Sequence, residues 1–322
     1  MLTIWCNMQF SGRAQELLNE GTRGHRLVFP ETRTRSSLAA AGKDEVLAAA
    51  DIAFGQPDAE LVMQTPGIRW VHLTSAGYTR YDTPEFRAAA KGRGLPLTNS
   101  SSVYAEPCAE HVFAFMVAHA RRLDIARDVQ LGDRSWPTAP IREKSRLLTG
   151  QSAVILGFGA IARRLVELLA PFSMRISVLR RSASGSEGVP VITPGELPHV
   201  LAEADHVFNI LPDNAGTRGF MTAALFDAMK PGAVFYNIGR GTTIDQGALL
   251  ARLQSGRVAA AWLDVTDPEP LPPEHALWKA PNCFITPHTA GGHDTEFERL
   301  ALHFLGNFER FVAGRELNDR VM

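Results

Sequence analysis

The stretch 152–169 constrains this chain more than any other. A buried strand, SAVILG (152–157), runs straight into a glycine-rich turn and then into a helical pattern over 160–169. Gly157, Gly159 and Ala162 form a GxGxxA pattern. The pattern alone is weak evidence. Here it follows a strand, opens a helix and is followed by a second strand, RISVL (175–179), at the spacing of a β-α-β unit. Gly157 permits the tight turn, Gly159 lets the backbone approach a pyrophosphate, and Ala162 is small enough for close helix–strand packing. A pyrophosphate would sit on the free N–H groups at the helix start, so Gly157, Phe158, Gly159, Ala160 and Ile161 are candidate dinucleotide contacts.

The same rhythm fills the rest of the chain. Apolar runs at 2–6, 26–29, 52–55 and 70–75 predict one series of strands, separated by amphipathic segments such as 43–50 and 83–91. A helix is expected from Ala105 to about Arg122. A second series of strands follows the glycine turn, at 206–211, 233–239, 259–265 and 283–288. Their strongly apolar character suits parallel strands covered on both faces. A closing helix over 294–312 presents Phe297, Leu300, Phe304, Leu305 and Phe308 on one side. The fold class is therefore α/β, with two doubly wound parallel sheets of Rossmann type. The 322 residues, 45% of them hydrophobic, supply enough apolar material for two cores.

Several classes are set aside by what the sequence lacks. A formal net charge of -1 gives no global pull toward nucleic acid or a membrane surface. The ten histidines show no HExxH-type spacing, and Cys6, Cys108 and Cys283 make neither a disulfide framework nor a metal knuckle, so no metal is expected. MLTIWCNMQF has no basic segment followed by a long apolar one, and the densest apolar stretch, 112–118, is too short to span a bilayer. The expected location is the cytoplasm.

About 20 residues past the glycines a carboxylate is expected to bind the adenosine ribose. This chain has Arg180, Arg181 and Ser182 there. A guanidinium favours a 2′-phosphate and offers nothing special to a bare hydroxyl, so these residues point to NADP, with NAD as the alternative. Three further strand ends carry ionisable groups that packing does not demand: Arg240 in NIGRG, Glu269 in DVTDPEPLP and His288 in TPHTAGG. Ligands of open parallel sheets bind at the carboxyl ends of the strands. Arginine holds a carboxylate, histidine exchanges a proton near neutrality, and a carboxylate beside the histidine fixes the ring and stabilises its cation. Singly, each has an ordinary surface reading. Together, beside a dinucleotide turn, they predict hydride chemistry on a small acid.

NIGRG, LDV with its EP-containing loop, and TPH, in this order and spacing, resemble the D-isomer-specific 2-hydroxyacid dehydrogenases. GFGAIA, LPDNAGTRGF, AEH at Ala109–His111 and TSAG at Thr74–Gly77 belong to the same resemblance, which runs from about Asp51 to the last helix. It implies a nucleotide domain (102–289) inserted into a flavodoxin-like substrate domain (1–101 plus 290–322). It implies that Arg240 binds the substrate carboxylate and carbonyl, that His288 is the general acid/base and that Glu269 is its partner. The N–H groups of Ala76 and Gly77 would bind the substrate carboxylate, Asp264 would meet the nicotinamide amide, and Leu211, Pro212, Thr217, Ile238 and Gly239 would line the coenzyme cleft. It further implies reduction of a 2-keto acid of glyoxylate or hydroxypyruvate type, and a homodimer. Two readings from other classes stand beside it: a non-catalytic dinucleotide-sensing protein resembling corepressors, and a dehydrogenase of a small anion such as formate or phosphite. Arg180 departs from the family's common aspartate, and Ala162 from its third glycine.

Overall fold

The computed structural model describes residues 1–183 and 185–322, and these divide into two compact units, 1–104 with 292–322 and 105–291. In the first unit the chain forms β1 (Thr3–Cys6), α1 (Gly12–Gly21), β2 (Arg26–Val28), β3 (Ile52–Gly55), α2 (Ala59–Gln64), β4 (Trp70–Leu73), α3 (Pro84–Arg93) and β5 (Leu97–Thr98). The strands are parallel in the order β2-β1-β3-β4-β5, the flavodoxin-type order. The segment 43–50, read as amphipathic and helical, yields only a 3-10 turn at Glu45–Ala49. Asp44 caps it through the N–H of Val46, and Ala50 is already extended on its way into β3.

The long α4 (Ser101–Ala120) starts a turn earlier than its sequence pattern suggests. Asn99 Oδ1 accepts from the N–H of Ser101, and Asp319 Oδ2 accepts from the N–H of Ser102 at 2.8 Å. The second cap comes from a residue 217 positions away, so no local pattern announces it. Two short helices follow, α5 (Leu123–Leu131) and α6 (Thr138–Lys144).

The second unit then continues as β6 (Ser152–Leu156), α7 (Ala160–Leu169), β7 (Arg175–Leu179), β8 (Val191–Ile192), α8 (Leu197–Leu201), β9 (His206–Asn209), α9 (Ala223–Ala228), β10 (Ala233–Asn237), α10 (Gln246–Gln254), β11 (Val258–Leu263) and β12 (Cys283–Ile285). Its sheet runs β12-β11-β10-β9-β6-β7-β8, all parallel. That is the Rossmann order 3-2-1-4-5-6 with one more strand at the edge. The order reverses at β6, where Leu156 pairs with Leu179 on one side and Asn209 on the other. A ligand crevice belongs at that point.

The last helix, α11 (Glu296–Val312), returns to the first unit. Its Phe304 ring stacks on Phe54 at 4.1 Å and on Trp70 at 5.4 Å between centroids, and Leu300, Phe304 and Phe308 are buried. The apolar stripe expected on this helix therefore covers the five-stranded sheet.

Candidate active site

The glycine turn has the geometry a dinucleotide requires. Gly157 has φ +95, a conformation that side-chain-bearing residues rarely adopt, and its N–H donates to Leu179 O at 3.2 Å, tying the turn to the end of β7. Gly159 is the N-cap of α7 and brings no capping side chain. The first N–H groups of the helix, from Ala160 and Ile161 onward, therefore have no intrahelical acceptor and suit an anion. The Arg163 guanidinium lies over the Phe158 ring at 4.7 Å, which adds positive charge at this turn. These features fit a pyrophosphate.

The other expected coenzyme contacts gather around the turn. The Leu211 side chain lies close against Gly157, and the Leu211 backbone lies close against Gly239. Thr217 Oγ1 donates to Pro212 O and accepts from the N–H of Asn214 at 3.0 Å, so it shapes the loop that Leu211 opens. Ile238 is buried and donates to Asn209 O at 3.2 Å. At the end of β7, Arg181 and Ser182 are exposed, while Arg180 makes an ion pair with the almost fully buried Glu187. Sequence reasoning missed Glu187, which stands seven residues past Arg180 with no motif to mark it.

Arg240, Glu269 and His288 follow β10, β11 and β12 and sit on the same sheet edge. His288 Nδ1 is 2.8 Å from Glu269 Oε2, and Glu269 Oε1 accepts from the N–H of Thr266 at 3.0 Å. Partial burial works to raise the Glu269 pKa. The hydrogen bond and charge of His288, the Thr266 amide and the charge of Arg240 outweigh it and hold the carboxyl below its ordinary range. Arg240 thus acts electrostatically on the same carboxylate that binds the imidazole. Gly241 makes this closeness possible: a Cβ there would lie 2.0 Å from the Thr266 carbonyl. No larger residue lets the two loops meet.

Two buried networks hold these groups. Asn237 Nδ2 and Thr243 Oγ1 donate to the Arg240 carbonyl at 3.2 and 2.6 Å, and Asn209 Nδ2 donates to both Asn237 Oδ1 and Thr243 Oγ1. Around His288, Asp264 does the holding. Its carboxylate accepts from Thr286 Oγ1 at 2.6 Å, the N–H of Thr289 at 2.8 Å and the N–H of Ala290 at 3.0 Å, and its carbonyl accepts from the N–H of His288. These bonds keep His288 at φ +52, in the left-handed region. A contact between Asp264 and the nicotinamide amide would come in addition to this work. His111 Nε2 stands 3.2 Å from Thr286 Oγ1; burial lowers its pKa, and the nearby Asp264 offsets this only in part. Asn209 and Asn237 had no signal in the sequence beyond lying at strand ends, and Thr243, at the end of a 3-10 turn, had none.

Ala76 and Gly77 belong to the first unit. The loop that carries them turns its carbonyls inward. Tyr104 Oη donates to Thr74 O, the N–H of Ser100 to Ser75 O, Asn99 Nδ2 to Ala76 O and Ser75 Oγ to Gly77 O. Gln56 Nε2 reaches both Thr74 Oγ1 and Ser75 Oγ from the end of β3. The N–H groups of Ala76 and Gly77 donate to no acceptor among the described residues. A pair of free amides in a rigid loop suits a carboxylate.

Residues 113–290 match the family described as D-isomer specific 2-hydroxyacid dehydrogenase, NAD binding domain. The glyoxylate/hydroxypyruvate reductase B of Salmonella newport is 31% identical over 285 residues, 85% of this chain and 83% of that protein. The glyoxylate reductase of Korarchaeum cryptofilum is 30% identical over 263 residues, 80% of this chain and 77% of that protein. A crystal structure of a D-isomer specific 2-hydroxyacid dehydrogenase family protein from Aeromonas salmonicida superposes with a TM-score of 0.79 at 26% identity, covering 100% of this chain and 99% of the other. The chain belongs to the D-isomer-specific 2-hydroxyacid dehydrogenases. It is an NAD(P)-dependent oxidoreductase, and its two parallel-sheet units are those of this family.

Proposed function

We propose that this enzyme reduces a small 2-keto acid of glyoxylate or hydroxypyruvate type to the D-2-hydroxy acid, with NADPH as the preferred reductant. The observation that carries the reading is the 2.8 Å contact of His288 with Glu269 on the edge where Arg240 stands. The names of the Salmonella and Korarchaeum relatives supply the substrate type. In this reading residues 102–289 hold the coenzyme, and 1–101 with 290–322 hold the substrate.

The coenzyme, held at the Gly157–Ile161 turn, would supply a hydride for the keto carbon. His288, protonated, gives a proton to the carbonyl oxygen as charge develops there. Glu269 orients the ring and stabilises its charged form. Arg240 binds the substrate carboxylate and polarises the carbonyl. The amides of Ala76 and Gly77 take part in holding the same carboxylate. Neither the sensor nor the small-anion reading gains a specific observation in its favour.

Arg180 at the end of β7, with Arg181 and Ser182 beside it, supports the 2′-phosphate. Glu187 tempers that support, because the guanidinium is already partly neutralised. The preference should fall near the low end of the roughly ten- to hundredfold that one charge-assisted contact can give. Among the described residues no helix is long and apolar enough to cross a membrane, and we place the enzyme in the cytoplasm. We also propose a homodimer. The segment after α4 exposes Leu123, Leu131, Trp136 (88% exposed) and Leu147, an apolar surface that a second copy would cover. Steady-state assays of glyoxylate and hydroxypyruvate with each coenzyme test the reading. Turnover with NADPH supports it; absence of turnover with either coenzyme overturns it.

A further inference from the structure

We propose that Glu296 selects substrates by the group they carry at C3, accepting a hydrogen-bond donor there and disfavouring a second anion. This rests on the assignment of the Ala76–Gly77 amides to the substrate carboxylate. Tyr104, near the start of α4, and Glu296, the first residue of α11, both belong to the first unit. Tyr104 is buried, and its hydroxyl oxygen lies 2.9 Å from Thr74 O and 2.9 Å from Glu296 Oε1. A phenol has one hydrogen to give, and both neighbours are acceptors. Only one contact can carry that hydrogen at a time, so the half-buried carboxylate is short of donors. Among the described residues no cation pairs with Glu296 and its second oxygen accepts no hydrogen bond.

The positive end of α11 accounts for acidic residues at 296 and 298 alike. It does not account for the tie of Glu296 to the tyrosine that braces the substrate loop. The Tyr104 oxygen lies 2.9 Å from both Thr74 O and Glu296 Oε1, so the Glu296 carboxylate stands beside the loop that carries Ala76 and Gly77. A hydroxyl at C3 would supply the donor that Glu296 lacks, a hydrogen would leave it wanting, and a carboxylate would be repelled.

Hydroxypyruvate, pyruvate and oxaloacetate share C1 and C2 and differ only in that C3 substituent. The wild type should use hydroxypyruvate best and oxaloacetate worst. Glu296→Gln keeps the size and the helix position. It should lower the kcat/KM ratio of hydroxypyruvate to oxaloacetate by about ten- to a hundredfold, and glyoxylate, which has no C3, should lose less than hydroxypyruvate. NADPH affinity from coenzyme fluorescence, unchanged, shows that the variant is folded. Glu296→Asp keeps the charge and should keep oxaloacetate last. An unchanged ratio in Glu296→Gln overturns the proposal. So does an equal fall for all substrates, which would make Glu296 a brace for the loop alone, and so does an aspartate variant as unselective as the glutamine variant. A wild type that reduces none of these acids overturns the proposed function as well; one that reduces hydroxypyruvate while the ratio stays fixed overturns only the role of Glu296.

Discussion

The two units leave backbone amides open in different ways. In the second unit the work is local: glycine at 157 allows φ +95, glycine at 159 caps α7 without a side chain, and the helix start is open. In the first unit the work is distributed. The Ala76 and Gly77 amides stand in a loop held in place by its carbonyls, which Tyr104, Ser100, Asn99 and Ser75 take, two of those donors coming from α4 or the residue before it. A local device survives changes elsewhere in the chain and fails with one residue. A distributed device tolerates a change in the loop itself and depends on distant partners.

The largest expected effect lies in the second unit. His288→Asn removes the proton donor while offering a residue that also tolerates positive φ. It should lower kcat roughly 10²–10⁴-fold, with NADPH affinity retained; near-normal kcat at neutral pH removes His288 from proton transfer. Arg240→Lys keeps the charge and loses the planar fork, so kcat/KM should fall mainly through substrate binding, by roughly ten- to a hundredfold. Equal kcat/KM in the two proteins removes Arg240 from the carboxylate site.

Arg180→Asp probes the charged end of β7 beside the glycine turn. It places a carboxylate beside the buried Glu187 and should reverse the NADPH preference or erase it, an effect of about tenfold. Steady-state kinetics with both coenzymes decide, and indifference to the change would make these arginines solvated surface. Glu269→Gln should lower kcat/KM for reduction by removing the carboxylate that orients the His288 ring at 2.8 Å; an unchanged kcat/KM removes Glu269 from that role. Glu269 is held below its ordinary range, so its contribution to stability is present above that range and fades as the pH falls below it through the lowered value. The wild type should therefore lose its margin over the variant in acid melts. The smallest effect belongs to the first unit. Ser102→Ala removes the hydroxyl bonded to Asp319 and should cost about 1 kcal/mol in a denaturant melt without touching NADPH affinity.

The same contrast explains what could be read from the sequence. GFGAIA is a contiguous signal, and Arg240, Glu269 and His288 each follow a strand whose apolar run is plain, so the second unit's candidate residues were legible. The first unit's site was not, beyond TSAG. Asn99, Ser100 and Tyr104 act on a loop more than 20 residues earlier, and Glu296 joins them from the far end of the chain. Glu187 escaped as well, since no motif marks its place seven residues past Arg180. The start of α4 was misplaced because Asp319 supplies a cap that only tertiary structure brings. The short α5 and α6 carry no buried residue, so no core-facing stripe marks them.

The route of the chain has a consequence for how the protein is made. Residues 1–104 leave the ribosome well before Phe304, which covers Phe54 and Trp70, and Asp319, which caps α4. The second unit is one uninterrupted stretch and can complete its sheet before α11 is made. At ordinary elongation rates the five-stranded sheet waits roughly 10–40 s for its closing helix. During that interval its aromatic face is the part of the nascent chain most in need of shelter from other chains.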